Sequence, residues 1–363
     1  MQNTKNVYMI LTNSFNPDVR VYKEAKYLVK QGFNVTILCW DRKCEFIDKC
    51  TENVDGIIIK RFSIPANPGT GMKQLLSYFK FIRVVKKYLK NKEYSYLHCH
   101  DFDGILIGMI TAKKKQKKVV FDMHEIYKNY AYAKFFFFDY LYNQILKKSD
   151  YIIYVNEKQV SDMLPEIKKK TIYLPNYPEL DIYKPIEKKE TNIIRVNYIG
   201  SLRDYDSLKS LAKLGEDNDN IKVGLYGTGI CLDTLKKEYQ NSRIEIYGKY
   251  NGILESGEIY RNTDILYCSY NPNVENWKNA YPVKLFEAIV TLTPVIVSTN
   301  TITEKFVKEY GIGEAVEYAN KESIYNAITK ISKNYSVYVK NLKKISGEYK
   351  WETAVKHLDK IYH

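Results

Sequence analysis

Residues 280–298, AYPVKLFEAIVTLTPVIVS, read as helix, turn and strand, and the rest of the chain is ordered around them. Pro282 lacks the N–H that would go unpaired at a helix start and so suits the first helical position. Val283, Phe286, Ile289 and Val290 then recur at helical spacing, Pro294 ends the turn, and Val295-Ile296-Val297 predicts a short buried strand. A helix entered in this way aims its unpaired N–H groups and the positive end of its dipole forward, which favours phosphate. Lys284 adds a charge in the first turn. Glu287 shares its face, where a carboxylate can accept two hydrogen bonds from a pair of sugar hydroxyls. Phosphate donors beside a ribose acceptor describe a nucleotide site; the plainer reading is a surface Lys–Glu pair on an amphipathic helix.

Upstream and downstream the same alternation repeats. Residues 7–12 (VYMILT) predict a strand, followed by the loop Asn13-Ser14-Phe15-Asn16-Pro17-Asp18, a helix over 19–31 closed by Gly32, and the strand 34–40. Further strands are expected at 56–62, 96–100, 119–123, 151–156 and 171–176, with helices over 73–91, 104–113 and 135–148. The charged run KPIEKKET (184–191) is the expected linker, after which five strands follow at 195–202, 221–229, 244–250, 265–270 and 294–298, with a helical tail over 322–362. Strands alternating with helices imply α/β architecture with doubly wound parallel sheets, in which ligands bind beyond the carboxyl ends of the strands. The expected division is residues 1–183, residues 184–345, and a terminal helix, 346–363, packing back across the boundary.

The totals suit that reading. The 363 residues carry a net charge of +14, with most of the excess before residue 184, a field that attracts nucleic acid, anionic headgroups or phosphorylated substrates alike. No apolar run is long enough to span a bilayer, the N-terminus has no secretory pattern, and the six cysteines form no CxxC pair, so reduced thiols and a cytoplasmic protein are expected.

Read this far, PDVRVYKEA (17–25), HCHDFDG (98–104), FDMHE (121–125), YIGSLR (198–203), YGTG (226–229) and PVKLFEA (282–288) together resemble a retaining glycosyltransferase of the GT-B architecture, family 4. The resemblance covers nearly the whole length. It implies two Rossmann-like doubly wound domains facing a cleft, the first binding acceptor and membrane, the second binding the nucleotide sugar. Carried over by position, it implies His124 beside the transferred sugar, Arg203 and Lys209 on the diphosphate, Lys284 and Glu287 on the donor, the main chain of Tyr247, Gly248 and Lys249 along the base, and Asn279, Ala280, Tyr281 and Pro282 lining the sugar site. Asn16, Asp18, His100 and Asp101 fall on the acceptor side. A departing nucleoside diphosphate gathers negative charge that fixed cations and helix N–H groups stabilise most in the transition state, so neither a metal nor a cofactor is implied, and the nucleotide sugar is a co-substrate. Three departures stand out: Asn279 occupies a position where the family often has glutamate, the first loop lacks the common glycine pair, and Ser201 replaces an arginine often found after Gly200.

Alternatives remain at this stage. His124 can be a core histidine; His98, His100, Asp101 and Asp103 mimic a metal cluster; Asp101-Phe102-Asp103 is also the Asp-x-Asp of metal-dependent glycosyltransferases; YGTG can be a plain turn. A nucleotide-sugar 2-epimerase can share the architecture, and a nucleic-acid binder is suggested by charge alone but lacks a recognisable module. The run KKKQKK (113–118), Lys86, Lys87, Lys90, Lys92, Lys147, Lys148 and the aromatic stretch 132–142 are expected to make a peripheral contact with the anionic inner face of the cell membrane. The expected partners are thus a nucleotide-sugar donor, a glycan or lipid-linked acceptor and anionic membrane, without nucleic acid.

Overall fold

Alternating apolar segments with intervening helices have one economical solution, a parallel sheet covered on both faces, and the chain adopts it twice. A computed structural model describes residues 5–16, 18–66, 72–112, 117–127, 137–186 and 192–362. These form two compact units, residues 1–175 with 355–363, and residues 176–354.

In the first unit the strands are β1 (Asn6–Leu11), β2 (Asn34–Asp41), β3 (Thr51–Val54), β4 (Ile57–Ser63), β5 (Tyr96–His100), β6 (Lys118–Met123), β7 (Tyr151–Tyr154) and β8 (Thr171–Tyr173), in the spatial order β3-β4-β2-β1-β5-β6-β7-β8. All neighbours are parallel except β3 and β4. That hairpin was not foreseen. Its Asp55-Gly56 turn, with φ of 52° and 83°, is a signal the sequence carried, because a two-residue turn of this kind needs left-handed backbone at both positions. Strands leave β1 and β5 in opposite directions, so the sheet switches between them, and ligands of such sheets sit at the carboxyl ends beside the switch.

The second unit has β9 (Ile194–Ile199), β10 (Ile221–Tyr226), β11 (Glu245–Gly248), β12 (Ile265–Cys268), β13 (Val295–Ser298) and β14 (Gly313–Val316), all parallel, in the order β11-β10-β9-β12-β13-β14. Its switch lies between β9 and β12. Five of the six strands match expectation; β14 was missed because GEAV offers little apolar signal. The helix Val283–Thr291 starts one residue later than the sequence suggested, with Pro282 as the extended residue before it, and Leu292 in left-handed backbone ends it.

The units divide at 175/176, whereas the linker was expected at 184–191. Tyr177 packs on Phe286 and the Tyr183 hydroxyl bonds Glu287, so this segment belongs to the core of the second unit. Of the tail, Trp351 donates its backbone N–H to Pro178 in the second unit, while residues 355–362 return to the first: His357 Nδ1 lies 2.7 Å from the Tyr173 carbonyl, and Tyr27 donates to Asp359 at 2.5 Å. The charged stretch 113–116 and the aromatic residues 132–136 lie outside the described residues.

YGTG is a close backbone approach. Gly227 has a φ of +132°, and a Cβ there would lie 1.8 Å from the Gly200 carbonyl oxygen. Gly227→Ala is expected to destabilise the chain by about 3 kcal/mol or more, from strain and collision together. Urea denaturation with an unchanged midpoint would contradict this packing of the two loops.

Candidate functional site

Each unit gathers polar groups at its own switch point. In the second unit, the residue after β9 is Gly200, and the helix Val283–Thr291 between β12 and β13 carries Lys284. The Lys284 side chain is buried, its Nζ 3.7 Å from the centroid of the Tyr198 ring and 5.3 Å from that of Tyr270. Among the described residues this nitrogen has no hydrogen-bond acceptor. A Cβ on Gly200 would sit 2.7 Å from it, so the strand end and the lysine share one small space. A buried ammonium held only by ring faces lacks most of the solvation it gave up, and an anion placed there would supply it.

One turn on, Glu287 is half-buried and held at both oxygens: Tyr183 donates to Oε1 at 2.7 Å and Tyr260 to Oε2 at 2.8 Å. Two phenols thus fix the carboxylate in place. Burial and then the Glu287 charge push the Tyr260 phenol well up and also raise Tyr250, which places the loop after β11 in the field of the same carboxylate. At the end of β11 Tyr247 is exposed and stacks on Tyr226 with centroids 4.2 Å apart, the Gly248 carbonyl accepts from Gly227 N–H, and Lys249, just past the strand, is exposed. Arg203 lies over Trp277, 5.0 Å from its centroid, and Trp277 neighbours Tyr270, so Arg203 is on the Lys284 side. Lys209 is not. Its Nζ is 2.9 Å from Glu238 and 3.2 Å from the Tyr205 hydroxyl, because its place in the second turn of the helix Tyr205–Asp217 carries it away from the Gly200 loop. Asn279 donates to the carbonyl and carboxylate of Glu275, Ala280 and Pro282 are half-buried, and Tyr281 packs edge-on against Phe286 and Phe306.

In the first unit the focus is Asp122, fully buried at the end of β6. Arg20 grips it with Nη2 to Oδ1 at 2.8 Å and Nε to Oδ2 at 3.1 Å; His100 Nδ1 reaches Oδ2 at 3.0 Å and His124 Nε2 at 2.8 Å. The other imidazole nitrogen of His124 is 3.3 Å from Asp101, which also accepts from Tyr127 at 2.9 Å. Burial opposes charge on His124, but Asp122 and Asp101 outweigh it and hold the imidazolium well above the usual histidine range. Burial likewise opposes charge on Asp122, and Arg20 and His124 hold it well below the carboxylate range. Behind it Glu24, 3.1 Å from Arg20, is raised to about 8 by burial and then by the Asp122 charge. Burial lowers both His98 and His100.

His124 and Asp101 are partly exposed and can meet a ligand. His100 cannot, since it is fully buried, and its placement on the acceptor side is corrected to a support of Asp122. Asp18 caps the helix Val19–Lys30 through Val21 N–H and accepts from Asn13, while Asn16 is exposed on the same loop. Arg20, Glu24 and Asp122 were not singled out from the sequence. Their signal was present: an Arg and a Glu four apart on the same helix face as Val21, Ala25 and Leu28, and a carboxylate inside an apolar strand.

Glu24, His98, His100 and Asp122 offer ligand atoms within 4.8 Å of one another, a donor set that suits a divalent cation. Arg20 already places a cation among the two carboxylates, so this set fits a metal poorly. Asp101 and Asp103 fall two apart on the helix Asp101–Thr111 and diverge, the first to His124 and the second toward Arg42 at 4.0 Å, which does not make an Asp-x-Asp hook.

Residues 18–176 match the model described as Glycosyltransferase Family 4. That match covers less than half of the chain. Among solved structures the whole chain is similar to sucrose-phosphate synthase from Thermosynechococcus elongatus (TM-score 0.77, 15% identity, 98% of each chain covered). It is also similar to HepE from Anabaena in complex with UDP and glucose (TM-score 0.70, 12% identity, 98% of each). A third is WaaG, a glycosyltransferase involved in lipopolysaccharide biosynthesis (TM-score 0.66, 14% identity, 98% of this chain and 99% of that one). No curated protein sequence matches. The fold is therefore GT-B, and the matched segment carries the Arg20–Asp122–His124 cluster.

The cluster predicts how stability depends on pH. His124 and Glu24 both hold protons more tightly folded than unfolded, so the folded state binds the excess and stability falls as pH rises from the ordinary Glu24 value of 4.5 through the folded midpoints. Asp122 acts oppositely, its contribution being lost in acid as pH drops below 3.8. Asp122→Asn is expected to lower the His124 midpoint measured by imidazole NMR; an unmoved midpoint would show that Asp122 does not charge the ring.

Proposed function

We propose that this chain is a retaining, metal-independent hexosyltransferase that moves a sugar from a nucleoside diphosphate to a glycan or lipid-linked acceptor in cell-surface polysaccharide or glycoconjugate assembly. The observation that carries the reading is the buried Lys284 ammonium beside Gly200 at the β9/β12 switch, one turn from a carboxylate fixed by two tyrosines. A diphosphate would supply the missing counter-charge, and the Glu287 carboxylate would accept from ribose hydroxyls. Arg203 would add a second cation to the departing diphosphate, stabilising charge as it develops. The main chain around Tyr247, Gly248 and Lys249 would border the base, and Asn279 to Pro282 the sugar. His124, charged and part-exposed, would meet the transferred sugar, with Asn16, Asp18 and Asp101 toward the acceptor. HepE was solved with UDP and glucose, and starch synthase IV of Arabidopsis with ADP and acarbose, which supports a nucleotide-sugar donor here.

The same reading places the protein at the cytoplasmic face of an anionic membrane. No helix among the described residues is long and apolar enough to cross one. The helix Met72–Leu89 exposes Leu75, Leu76 and Phe79 together with Lys80, Arg83, Lys86 and Lys87, an apolar patch with basic neighbours suited to an anionic interface.

Calorimetric titration with a panel of nucleoside diphosphates tests the donor site directly. One of them is expected to bind, and Lys284→Ala to weaken it about a hundredfold, the size of one well-placed charge contact. Glu287→Ala should raise the donor KM, and His124→Ala should lower kcat at saturating donor; no binding by any diphosphate sinks the proposal. Sugar transfer must require an added acceptor, since release of an epimer from donor alone would make the chain an epimerase. For the membrane, Leu76→Asp with Phe79→Asp should abolish sedimentation with phosphatidylglycerol vesicles at physiological salt, and equal sedimentation of both forms would reject this helix as the contact.

A further inference from the structure

The tail that returns to the first unit ends inside the Asp122 network. Tyr362, fully buried, lies with its hydroxyl 2.8 Å from His98 Nδ1, across 264 residues of sequence. With the phenol donating to Nδ1, the His98 proton lies on Nε2. That nitrogen lies 3.5 Å from Glu24 Oε2 and 3.9 Å from Asp122 Oδ2, near enough for electrostatic attraction but without a hydrogen bond to either among the described residues. From the other side, Arg20 occupies Asp122 Oδ1 with Nη2, shares Oδ2 through Nε, and ties its remaining Nη1 to the Leu174 carbonyl at 3.0 Å. Asp122 is thus clamped at one oxygen and crowded by donors at the other, and the donor nearest the surface is His124.

We infer that Arg20 and Tyr362 are positioning residues for sugar transfer, Arg20 gripping Asp122 directly and Tyr362 fixing the His98 ring beside it, so that His124 stays oriented toward the bound sugar; this rests on the role assigned to His124 above. Neither residue can touch substrate, since both are buried. Their effect passes through Asp122, whose carboxylate would otherwise rotate to share its lone pairs among four donors. The groups facing His124 are Asp122, Asp101 and His100, with Glu24 and Arg20 behind them. None of these changes when Tyr362 loses only its oxygen, which makes the tyrosine a clean probe. Tyr27 supplies the control. Its hydroxyl bonds Asp359, anchoring the same terminal helix while touching no member of the network.

The test uses the full chain with Arg20→Lys, Tyr362→Phe and Tyr27→Phe, each read by NMR titration of the His124 imidazole and by steady-state kinetics. Arg20→Lys keeps the charge but loses the fork and should lower kcat about ten- to hundredfold; Tyr362→Phe should lower it about three- to tenfold. In both, donor KM stays within about twofold and the His124 midpoint moves down, while Tyr27→Phe leaves all three quantities at wild-type values. Unchanged kcat and an unchanged His124 titration in folded Tyr362→Phe and Arg20→Lys overturn the inference, and so does a Tyr27→Phe variant that reproduces Tyr362→Phe, since anchoring of the tail would then be the whole effect. If Arg20→Lys fails to fold, the near-isosteric Tyr362→Phe decides alone. Should the wild type transfer no sugar, the functional proposal falls separately, because the His124 titration needs no substrate.

Discussion

A lysine ammonium packed against two tyrosine rings, with no acceptor for its protons among the described residues, organises the second unit. Desolvating a charge without a partner is costly, and folded chains retain such a group where a ligand completes it. Everything near Lys284 is consistent with keeping that space open and shaped: Gly200 has no side chain to fill it, Gly227 lets the neighbouring loop close against the Gly200 carbonyl, and two phenols stop Glu287 from swinging over to neutralise the lysine. The last point is the decisive one, since a Lys–Glu pair one turn apart on a helix ordinarily meets in solvent. Here the Lys284 ammonium has no acceptor among the described residues, while Glu287 is held by two phenols.

The first unit solves the opposite problem. Its cluster of Arg20, Glu24, His98, His100, Asp122 and His124 is rich in internal partners, and the charges cancel within it: Arg20 and His124 against Asp122 and Asp101, with Glu24 pushed toward its neutral form. Buried ion pairs of this kind contribute little net stability compared with apolar packing, but they fix geometry. A histidine flanked by a carboxylate on each ring nitrogen has one orientation and one protonation state. That both clusters lie at switch points follows from strand order, because diverging crossovers leave the only open crevice at the carboxyl ends.

Much of this was legible in the residues. Apolar runs of four to eight alternating with amphipathic helices report buried parallel strands, and twelve such strands were readable because burial on both faces leaves them largely apolar. The two strands that escaped, β3 and β14, are both edge strands of four residues, TENV and GEAV, too short and too mixed in polarity to show the pattern. Lys284 and Glu287 were legible because helical spacing alone sets their face. The charged residues of the first cluster were not: in sequence, an arginine and a glutamate four apart look like a solvated pair, and only their shared face with Val21, Ala25 and Leu28 hinted otherwise.

The sequence by itself determined the two α/β sheets, the helix start that presents Lys284 and Glu287, and the strand ends that carry Asp101 and His124, since all of these are local consequences of periodicity and backbone chemistry. Tertiary structure alone decided which partners those residues meet. Arg20 finds Asp122 across 102 positions, Tyr183 finds Glu287 across 104, and Tyr362 finds His98 from the far end of the chain. Contacts of that separation are set by strand order and by where a returning tail packs, and no spacing within a single segment encodes them. For the same reason Lys209, well placed on paper, turns to Glu238: a shift of one helical turn in the folded chain changes a side chain's neighbours completely.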